Sequence, residues 1–374
     1  MSTHAEVAIL GGGCAGLSLA HALAVANSSC TAVVIEQRAE YLEDRTWCGW
    51  ATEPHLFDRC VRRRWPRWRV STTDARHEIA AGQFTYESIA AGEFYATARG
   101  EIAAAPRVEL LAGATVANVV QHGDGAKVTL ADGRCIDARW VIDTIPQPRE
   151  LSYPWMWQSF VGIELEAPGA GGDDVPDVMD FRVPQLDGLT FLYVIPFGRD
   201  RALFELTCFS PQRKTEPELH RALLAVLAQR FSRGYRVLRT EHAHLPMSPS
   251  ARRRSGHLVP AGITGGAMRP ATGFAFHSIQ RWAARCAADL AAGRAPVAST
   301  MHPALLWMDR VFMSVVRDKP ENAPALYARL FSQTEPDALV RFLAGIPRVA
   351  DIAGVVASLP LGEFTRAAAH VLVA

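Results

Sequence analysis

The sequence has little that would tie it to nucleic acid, to a disulfide scaffold or to a metal centre. Lys plus Arg total 39 and Asp plus Glu total 38, so the net charge of +1 gives no electrostatic reason to expect a nucleic-acid partner. The seven cysteines are odd in number and contain no CxxC pair, which predicts a reducing compartment without disulfides or a zinc ribbon. His242 and His244 have no third ligand at a suitable spacing, so no metal is expected.

The chain also lacks long apolar runs. Residues 1–6 are polar, so we expect no signal peptide, and no uninterrupted window of 18 apolar residues predicts a membrane-spanning helix. These absences predict a cytoplasmic protein, with peripheral contact to the inner face of the membrane left open. A chain of 374 residues with 49% apolar composition can bury a core over two or three folding units.

The N-terminal region predicts a βαβ unit. Val7–Leu10 is a short apolar run typical of a buried parallel strand, and glycines follow it directly. Leu17–Ala26 is rich in Ala and Leu and predicts a helix, and Thr31–Ile35 predicts a second buried strand. The whole unit spans about thirty residues, which is the usual size for this motif.

The glycines of this unit form the dinucleotide-binding pattern GxGxxG between the first strand and the helix. Gly11 permits the tight turn, Gly13 lets the backbone approach a pyrophosphate, and Gly16 lets helix and strand pack closely. Glu36 ends the second strand, 20 residues after Gly16, where a carboxylate accepts hydrogen bonds from a ribose and disfavours NADP. The predicted contacts to the dinucleotide are Gly11, Gly13, Cys14, Ala15, Gly16 and Glu36.

A second glycine-rich loop favours FAD over NAD. It precedes a helix predicted over Phe274–Ala292, and its backbone amides would stabilise negative charge on a flavin. From the spacing alone, an ordinary loop before a helix fits equally well. The predicted flavin contacts in this loop are Gly265, Gly266, Pro270, Thr272 and Gly273.

The remaining segments predict a sheet followed by helices. Lys127–Leu130 and Ala138–Ile142 read as a hairpin, and residues 65–113 show no clear period. Three β-rich segments, Val178–Val183, Leu189–Ile195 and Ala202–Phe209, predict an antiparallel meander. Glu216–Phe231 predicts an amphipathic helix, and the pattern is helical after Pro296.

Five segments together with the βαβ unit resemble the FAD-dependent lycopene cyclases of bacteria and plants. They are Asp44–Cys48, Met179–Arg182, Phe191–Phe197, Phe204–Thr207 and Gly265–Gly273. The resemblance implies a redox-neutral β-cyclase, an intramolecular lyase of the isomerase type that closes the end rings of lycopene. It also implies reduced FAD as cofactor, NAD(P)H as reductant, an apolar polyene substrate and delivery from a membrane surface.

Two redox alternatives stay open, an FAD-dependent monooxygenase and a prenyl-chain reductase. Together with the strand pattern, the resemblance implies an α/β fold with a Rossmann-like FAD-binding domain of the glutathione-reductase type. An antiparallel β-sheet substrate domain and a helical C-terminal region would complete it. The expected domains are 1–60 with 115–150 and 250–295 for FAD, 61–114 with 151–249 for substrate, and 296–374 for the helical region.

The resemblance also assigns candidate catalytic residues. Glu205 takes the position of the essential glutamate of the family, although its strand pattern alone also fits an outward-facing carboxylate. The family usually has a second acid directly after it, and Leu206 stands there instead. Asp180 and Arg182 share a strand face and are either a pair near the site or a structural salt bridge. Arg45 is either an FAD contact or a solvated arginine.

Overall fold

The computed structural model describes residues 2–250, 252–299 and 301–373, which form three sheets and nine helices. The strands are β1 (Ser2–Leu10), β2 (Ala32–Glu36), β3 (Thr46–Ala51), β4 (Val61–Trp65), β5 (Arg67–Ser71), β6 (Arg76–Ala80), β7 (Thr85–Ala90), β8 (Val108–Ala112), β9 (Val116–His122), β10 (Gly125–Leu130), β11 (Cys135–Asp143), β12 (Met156–Glu166), β13 (Asp177–Asp180), β14 (Leu189–Gly198), β15 (Arg201–Ser210), β16 (Arg236–Met247) and β17 (Leu258–Pro260). The helices are α1 (Cys14–Val25), α2 (Ala91–Ala104), α3 (Glu216–Arg230), α4 (Phe276–Ala291), α5 (Pro303–Asp318), α6 (Ala323–Gln333), α7 (Pro336–Leu343), α8 (Val349–Ser358) and α9 (Leu361–Val373).

The first sheet has the order β8-β2-β1-β11-β10-β9, with β17 added beside β11. Strands β8, β2, β1, β11 and β17 are parallel, and β10 and β9 extend the sheet as an antiparallel hairpin. Every residue of β2 is buried, as expected for a parallel strand covered on both faces. Helix α1 connects β1 to β2 and packs against α2 and α4, which makes the predicted βαβ unit the centre of this layer.

The second sheet is mostly antiparallel, with the order β16-β12-β15-β14-β13-β5-β6. Its two faces bury different partners. One face, here called the α3 face, presents residues such as Val161, Phe204 and Leu206 to helix α3. The other, here called the inner face, presents residues such as Phe191 and Phe209 to a cluster that includes α5, α6 and α7. Side chains alternate between these faces along each strand.

The small third sheet, β3-β7-β4, lies between the two larger layers. Trp47 of β3 stacks on Phe276 of α4, with ring centroids 5.6 Å apart. Trp50, three residues along the same strand, contacts Trp68 of β5 with centroids 5.3 Å apart. Strand β3 therefore joins the first layer to the inner face of the second sheet.

The predicted hairpin, meander and C-terminal helices are present, but the expected domain limits differ from the structure in two places. Strand β8 pairs with β2, and α2 packs on α1, so residues 91–112 lie with the first sheet rather than with the substrate domain. Strand β3, within the expected FAD segment 1–60, pairs with β7, which lies within the expected substrate segment 61–114. Both differences arise from pairing over a long sequence separation, which local periodicity does not reveal. Across the described ranges, no helix is both long enough and apolar enough to cross a membrane.

Candidate functional site

The turn between β1 and α1 requires glycine at two positions and leaves open space at a third. Gly11 has a φ of 93°, in the left-handed region, and a Cβ on Gly16 would lie 1.9 Å from the Gly11 carbonyl oxygen. A Cβ on Gly13 would meet no atom within 4 Å. Gly13 is also the N-cap of α1, which has no side-chain cap and no acidic residue in its first turn. The free amide end of α1 and the space above Gly13 therefore suit an anionic group such as a pyrophosphate.

Glu36 lies at the end of β2, beside this turn. Its Oε2 accepts a hydrogen bond from the Gly12 amide at 2.6 Å, and its Oε1 accepts one from Arg38 Nε at 3.1 Å. Burial alone would raise the pKa of Glu36, but the bonds from Arg38 and Gly12 bring it below its usual value. The carboxylate is therefore ionised and acts as an acceptor. Arg45 is half-exposed nearby, with its Nε 3.6 Å from Asp44 Oδ2.

The two glycine-rich loops meet at Ala15. The second loop begins at Gly262. A Cβ on Gly262 would lie 2.8 Å from Ala15 Cβ, so this loop packs directly on the start of α1. Gln280 donates to Ser18 at 2.9 Å, and each is the fifth residue of its helix, so α4 and α1 begin at the same edge. Burial raises the pKa of the Cys14 thiol to about 12, so this half-buried residue contributes volume rather than charge.

The second loop is built around the Arg269 carbonyl. That oxygen accepts from the amides of Thr272 at 3.2 Å and Gly273 at 2.9 Å, so two amides expected to face a flavin are used inside the turn. The amides left for an anion are those at the start of α4, whose N-cap Ala275 provides no side-chain cap. Pro270 is buried behind the turn.

Glycine is also required within this loop. Gly266 and Gly273 have φ values of 90° and 74°, and a Cβ on Gly265 would lie 2.5 Å from the Pro260 carbonyl oxygen. A Cβ on Gly273 would lie 2.1 Å from Gln158 Oε1 on β12. The second loop therefore sits directly on the inner face of the second sheet.

Glu205 lies on that same inner face. In the sheet register it is opposite Tyr193 of β14 and Gly162 of β12, and Gly162 is opposite Glu241 of β16. Thr207 Oγ1 donates to Glu205 Oε1 at 2.9 Å. Burial, followed by the nearby Glu241, raises the pKa of Glu205 to about 8, against the opposing effects of Thr207 and Arg239. Burial and the second acid therefore favour the protonated form of Glu205.

Aromatic side chains surround this acid. The rings of Phe191 and Tyr193 have centroids 5.2 Å apart, and burial raises the pKa values of Tyr193 and Tyr86 well above normal, so both phenols stay neutral. Gln158, which touches the second loop, is four residues from Gly162 on the same strand face. At roughly 3.3 Å per residue, the loop and the acid are about 13 Å apart along β12.

Asp180 and Arg182 form the predicted ion pair, but on the opposite face of the sheet from Glu205. Arg182 Nε donates to Asp180 Oδ1 at 2.8 Å, and Arg230 of α3 donates to Oδ2 at 3.0 Å. Asp180 is in register with Leu192, and Leu192 with Leu206, so all three face α3. This placement corrects the expected catalytic role: the pair anchors the end of α3 and has no access to Glu205.

Sequence reasoning missed a second set of buried polar residues. His55 Nε2 and His277 Nε2 lie 2.9 and 2.8 Å from Glu87 Oε1, and among the described residues this set has three ligand-type atoms within 4.8 Å. Arg64 Nε bonds the other carboxylate oxygen at 3.0 Å. Burial alone would raise the pKa of Glu87, but hydrogen bonds from the two histidines bring it to about 2. The anionic Glu87 therefore ties β7 to α4, and no regular spacing in the sequence predicts it.

The sequence has relatives over nearly its whole length. The family model for lycopene cyclase proteins matches residues 6–369. The lycopene β-cyclase of a Paracoccus species is 25% identical over 285 residues, which span 73% of this chain and 70% of the relative. That of Pseudescherichia vulneris is 24% identical over 323 residues, which span 81% of this chain and 80% of the relative.

Solved structures share the fold at much lower identity. A geranylgeranyl bacteriochlorophyll reductase-like protein from Thermoplasma acidophilum has a TM-score of 0.67 at 12% identity, covering 98% of this chain and 99% of that one. The flavin-dependent monooxygenase PieE, solved with FAD and substrate, has a TM-score of 0.63 at 14% identity, covering 98% and 72%. The fold is thus the α/β fold of FAD-dependent reductases and monooxygenases, and the family match shows that the chain belongs to the lycopene cyclase family of enzymes.

Proposed function

We propose that this protein is a lycopene β-cyclase. In this reaction the terminal double bond of a linear end group takes up a proton, and the next double bond captures the resulting cation. Loss of a proton then closes a β-ionone ring, so the product has the same formula as the substrate. The relatives named above are lycopene β-cyclases.

The observation that carries this proposal is the position of Glu205 beside Tyr193 on the inner face, where burial and Glu241 raise the pKa of its carboxyl. An isolated double bond is a weak base, so its protonation needs a positioned acid away from water. Thr207 fixes one oxygen of Glu205, which leaves the other available for the proton. The ring faces of Phe191 and Tyr193 lie on the same strand face and would stabilise the cation. The carboxylate left on Glu205 would then accept the final proton.

The glycine-rich turns fit FAD. The open space at Gly13, the uncapped start of α1 and the ionised Glu36 suit the pyrophosphate and ribose, with Arg45 beside them. The second loop (Gly265, Gly266, Pro270, Thr272 and Gly273) would place the flavin end toward the inner face. When bound and reduced, with NAD(P)H as reductant, FAD would supply negative charge close to the developing cation without net electron transfer.

The test is anaerobic incubation of the FAD-reduced protein with lycopene in deuterated water, followed by chromatography and mass spectrometry of the carotenoids. We expect cyclised product that carries deuterium, and none from Glu205→Gln. Hydroxylated or saturated product with stoichiometric NAD(P)H consumption would replace the cyclase with the monooxygenase or reductase alternative. Absence of any product from the reduced wild-type protein would count against lycopene as the substrate.

FAD binding is tested separately through Gly16. A methyl group at this position would collide with the Gly11 carbonyl, so Gly16→Ala is expected to prevent retention of FAD after reconstitution. Gly100→Ala is the matched control, because a Cβ on this helical glycine meets no atom within 4 Å. The readout is flavin absorbance after gel filtration. Equal flavin retention by both variants would contradict binding at the first glycine turn.

We also propose contact with a membrane surface, because a polyene substrate resides in lipid. Large apolar side chains are exposed on three C-terminal helices, with Trp307 43%, Val349 87% and Leu361 57% exposed. Co-sedimentation with anionic phosphatidylglycerol vesicles is expected for the wild-type protein and weakened by Val349→Asn with Trp307→Gln. Binding that these two changes leave unaltered would place the contact elsewhere.

A further inference from the structure

We propose that Glu241 is a positioning residue that pairs with Glu205 across Gly162 and keeps the proton on the Glu205 carboxyl. The inference rests on the proposed cyclase function for its role in turnover, but the pair itself is a property of the folded chain. No sequence motif links the two residues, since Glu241 follows Glu205 by 36 positions.

The sheet register brings the two acids together. Strand β12 runs between β15 and β16, with Gly162 opposite Glu205 on one side and opposite Glu241 on the other. Two strand spacings separate the outer backbones by about 9.5 Å. The Glu241 side chain extends over the central strand, and the carboxyl of Glu205 lies within hydrogen-bonding reach of it. A Cβ on Gly162 would lie 2.9 Å from Glu241 Cγ, so only glycine leaves room for Glu241 in this position.

The hydrogen bonds of the pair are complementary. Arg239 Nη1 donates to Glu241 Oε2 at 2.7 Å, while Glu241 Oε1 is buried and has no hydrogen-bond donor among the described residues. Thr207 holds Glu205 Oε1 at 2.9 Å. Each carboxyl thus has one oxygen occupied by its own donor, and a single proton between the other two oxygens satisfies both groups.

The surrounding charges decide which acid holds that proton. Glu241 is beside Arg239, which favours its charged form, whereas Glu205 has only the neutral Thr207 hydroxyl as donor. Burial raises the pKa of both acids, and Arg239 opposes the rise mainly at Glu241. We therefore assign the proton to Glu205 and the negative charge to Glu241.

Other elements packed on the pair add few charges. Strand β3 contributes Cys48, β7 contributes Tyr86 and β14 contributes Tyr193, and burial raises the pKa of each, so all three remain neutral. Glu164 of β12 also faces this region, but it accepts bonds from Arg239 at 2.8 Å and from Arg62 at 2.6 Å. The charge nearest to Glu205, other than Glu241 itself, is therefore the Arg239 guanidinium.

The first experiment is the pH profile of turnover for Glu241→Gln. Removing the charge of Glu241 removes a cause of the high pKa of Glu205 and leaves Arg239 to favour ionisation. Since the protonated acid is the active form, the alkaline fall in turnover is expected to shift to lower pH by about one unit or more. At pH 8 turnover would fall about tenfold, with much less loss at pH 6.

Glu166→Gln is the matched control. Glu166 lies on the same strand as Gly162 and pairs with Arg236 of β16, but it is partly exposed and four residues from Gly162. This variant is expected to keep the wild-type pH profile. A uniform loss of turnover at every pH in Glu241→Gln would show that Glu241 acts only through the fold, and would overturn the proposal.

A second measurement needs no substrate. The C=O stretch of the protonated Glu205 carboxyl, assigned by its loss in Glu205→Gln, is followed by infrared spectroscopy against pH. We expect this band to disappear at lower pH in Glu241→Gln than in the wild-type protein. In Glu241→Asp, which keeps the negative charge on a shorter side chain, the pH of disappearance is expected to fall by less. An unchanged titration in a folded variant would overturn the pair even if the enzyme cyclises lycopene. A shifted titration would support the pair even if lycopene is not the substrate.

Discussion

The second sheet has an enclosed carboxyl on each of its faces, and the two have opposite electrostatic environments. On the α3 face, Asp180 is fully buried between Arg182 and Arg230, whose bonds outweigh burial and lower its pKa. On the inner face, Glu205 has a hydroxyl and a second acid as neighbours, and its pKa is raised. Burial is common to both, so the partner determines which acid keeps its charge and which keeps its proton.

The largest expected contrast between the two faces is in turnover. Glu205→Gln removes the proposed proton donor and is expected to lower the rate of cyclisation by about a thousandfold or more. Asp180→Asn changes a fully buried carboxyl on the other face and is expected to retain turnover within about threefold per folded molecule. Initial rates under anaerobic conditions, normalised to folded protein, measure both. If Asp180→Asn lost as much turnover as Glu205→Gln, the proposed difference in function between the two faces would be wrong.

The second prediction places an acid on the apolar part of the α3 face. Leu206 is 1% exposed within the cluster under α3, so Leu206→Glu buries a carboxyl there and is expected to cost about 3 kcal/mol of unfolding free energy. Leu206→Met keeps the apolar volume and is the control, with an expected cost below about 1.5 kcal/mol. Denaturant unfolding compares the two. A well-tolerated glutamate would mean that position 206 can reach water or the inner face.

The third prediction concerns stability, where the two acids are expected to differ in sign. Asp180→Asn weakens bonds to two half-exposed arginines and is expected to cost about 2 kcal/mol at pH 7. Glu205→Gln removes a group whose pKa in the folded state lies above its usual value of 4.5. The contribution of Glu205 to the stability of the wild-type protein is therefore lost as pH rises from about 4.5 to 8, and the variant lacks this loss.

Glu205→Gln is thus expected to be more stable than wild type by roughly 1–3 kcal/mol at pH 8, with little difference at pH 4.5. Denaturant titrations at these two pH values measure this difference. A variant less stable than wild type at pH 8 would show that Glu205 is ionised in the folded protein.

The sequence predicted the local parts of this fold well. The glycine spacing, the apolar runs beside it and the β-rich segments after residue 178 each depend on neighbours in the chain, and each forms the expected element. The pairing of Asp180 with Arg182 was also accessible, because residues two apart share a strand face. Which face that would be depends on pairing to β14, and the alternation gives no information about it.

The parts that sequence reasoning missed depend on long-range register. Glu241 lies within a run of four polar residues, Arg239–His242, where a glutamate is expected to face solvent. Only the pairing of β16 with β12 places it beside Glu205. In the same way, β8 shows no clear period but pairs with β2, 76 residues earlier in the chain (Ala32 with Val108). The local sequence pattern therefore predicted the helices and strands, whereas the pairing between strands determined which side chains lie together.

Gly162 has a consequence for sequence divergence in this family. Any residue other than glycine there adds a Cβ that would lie 2.9 Å from Glu241 Cγ, so the Glu241 side chain would have to move. A lineage that loses this glycine must move or discard the acid on β16, and a lineage that keeps the pair must keep the glycine. In related sequences, the positions of Glu205, Gly162 and Glu241, on three adjacent strands, are therefore expected to vary together.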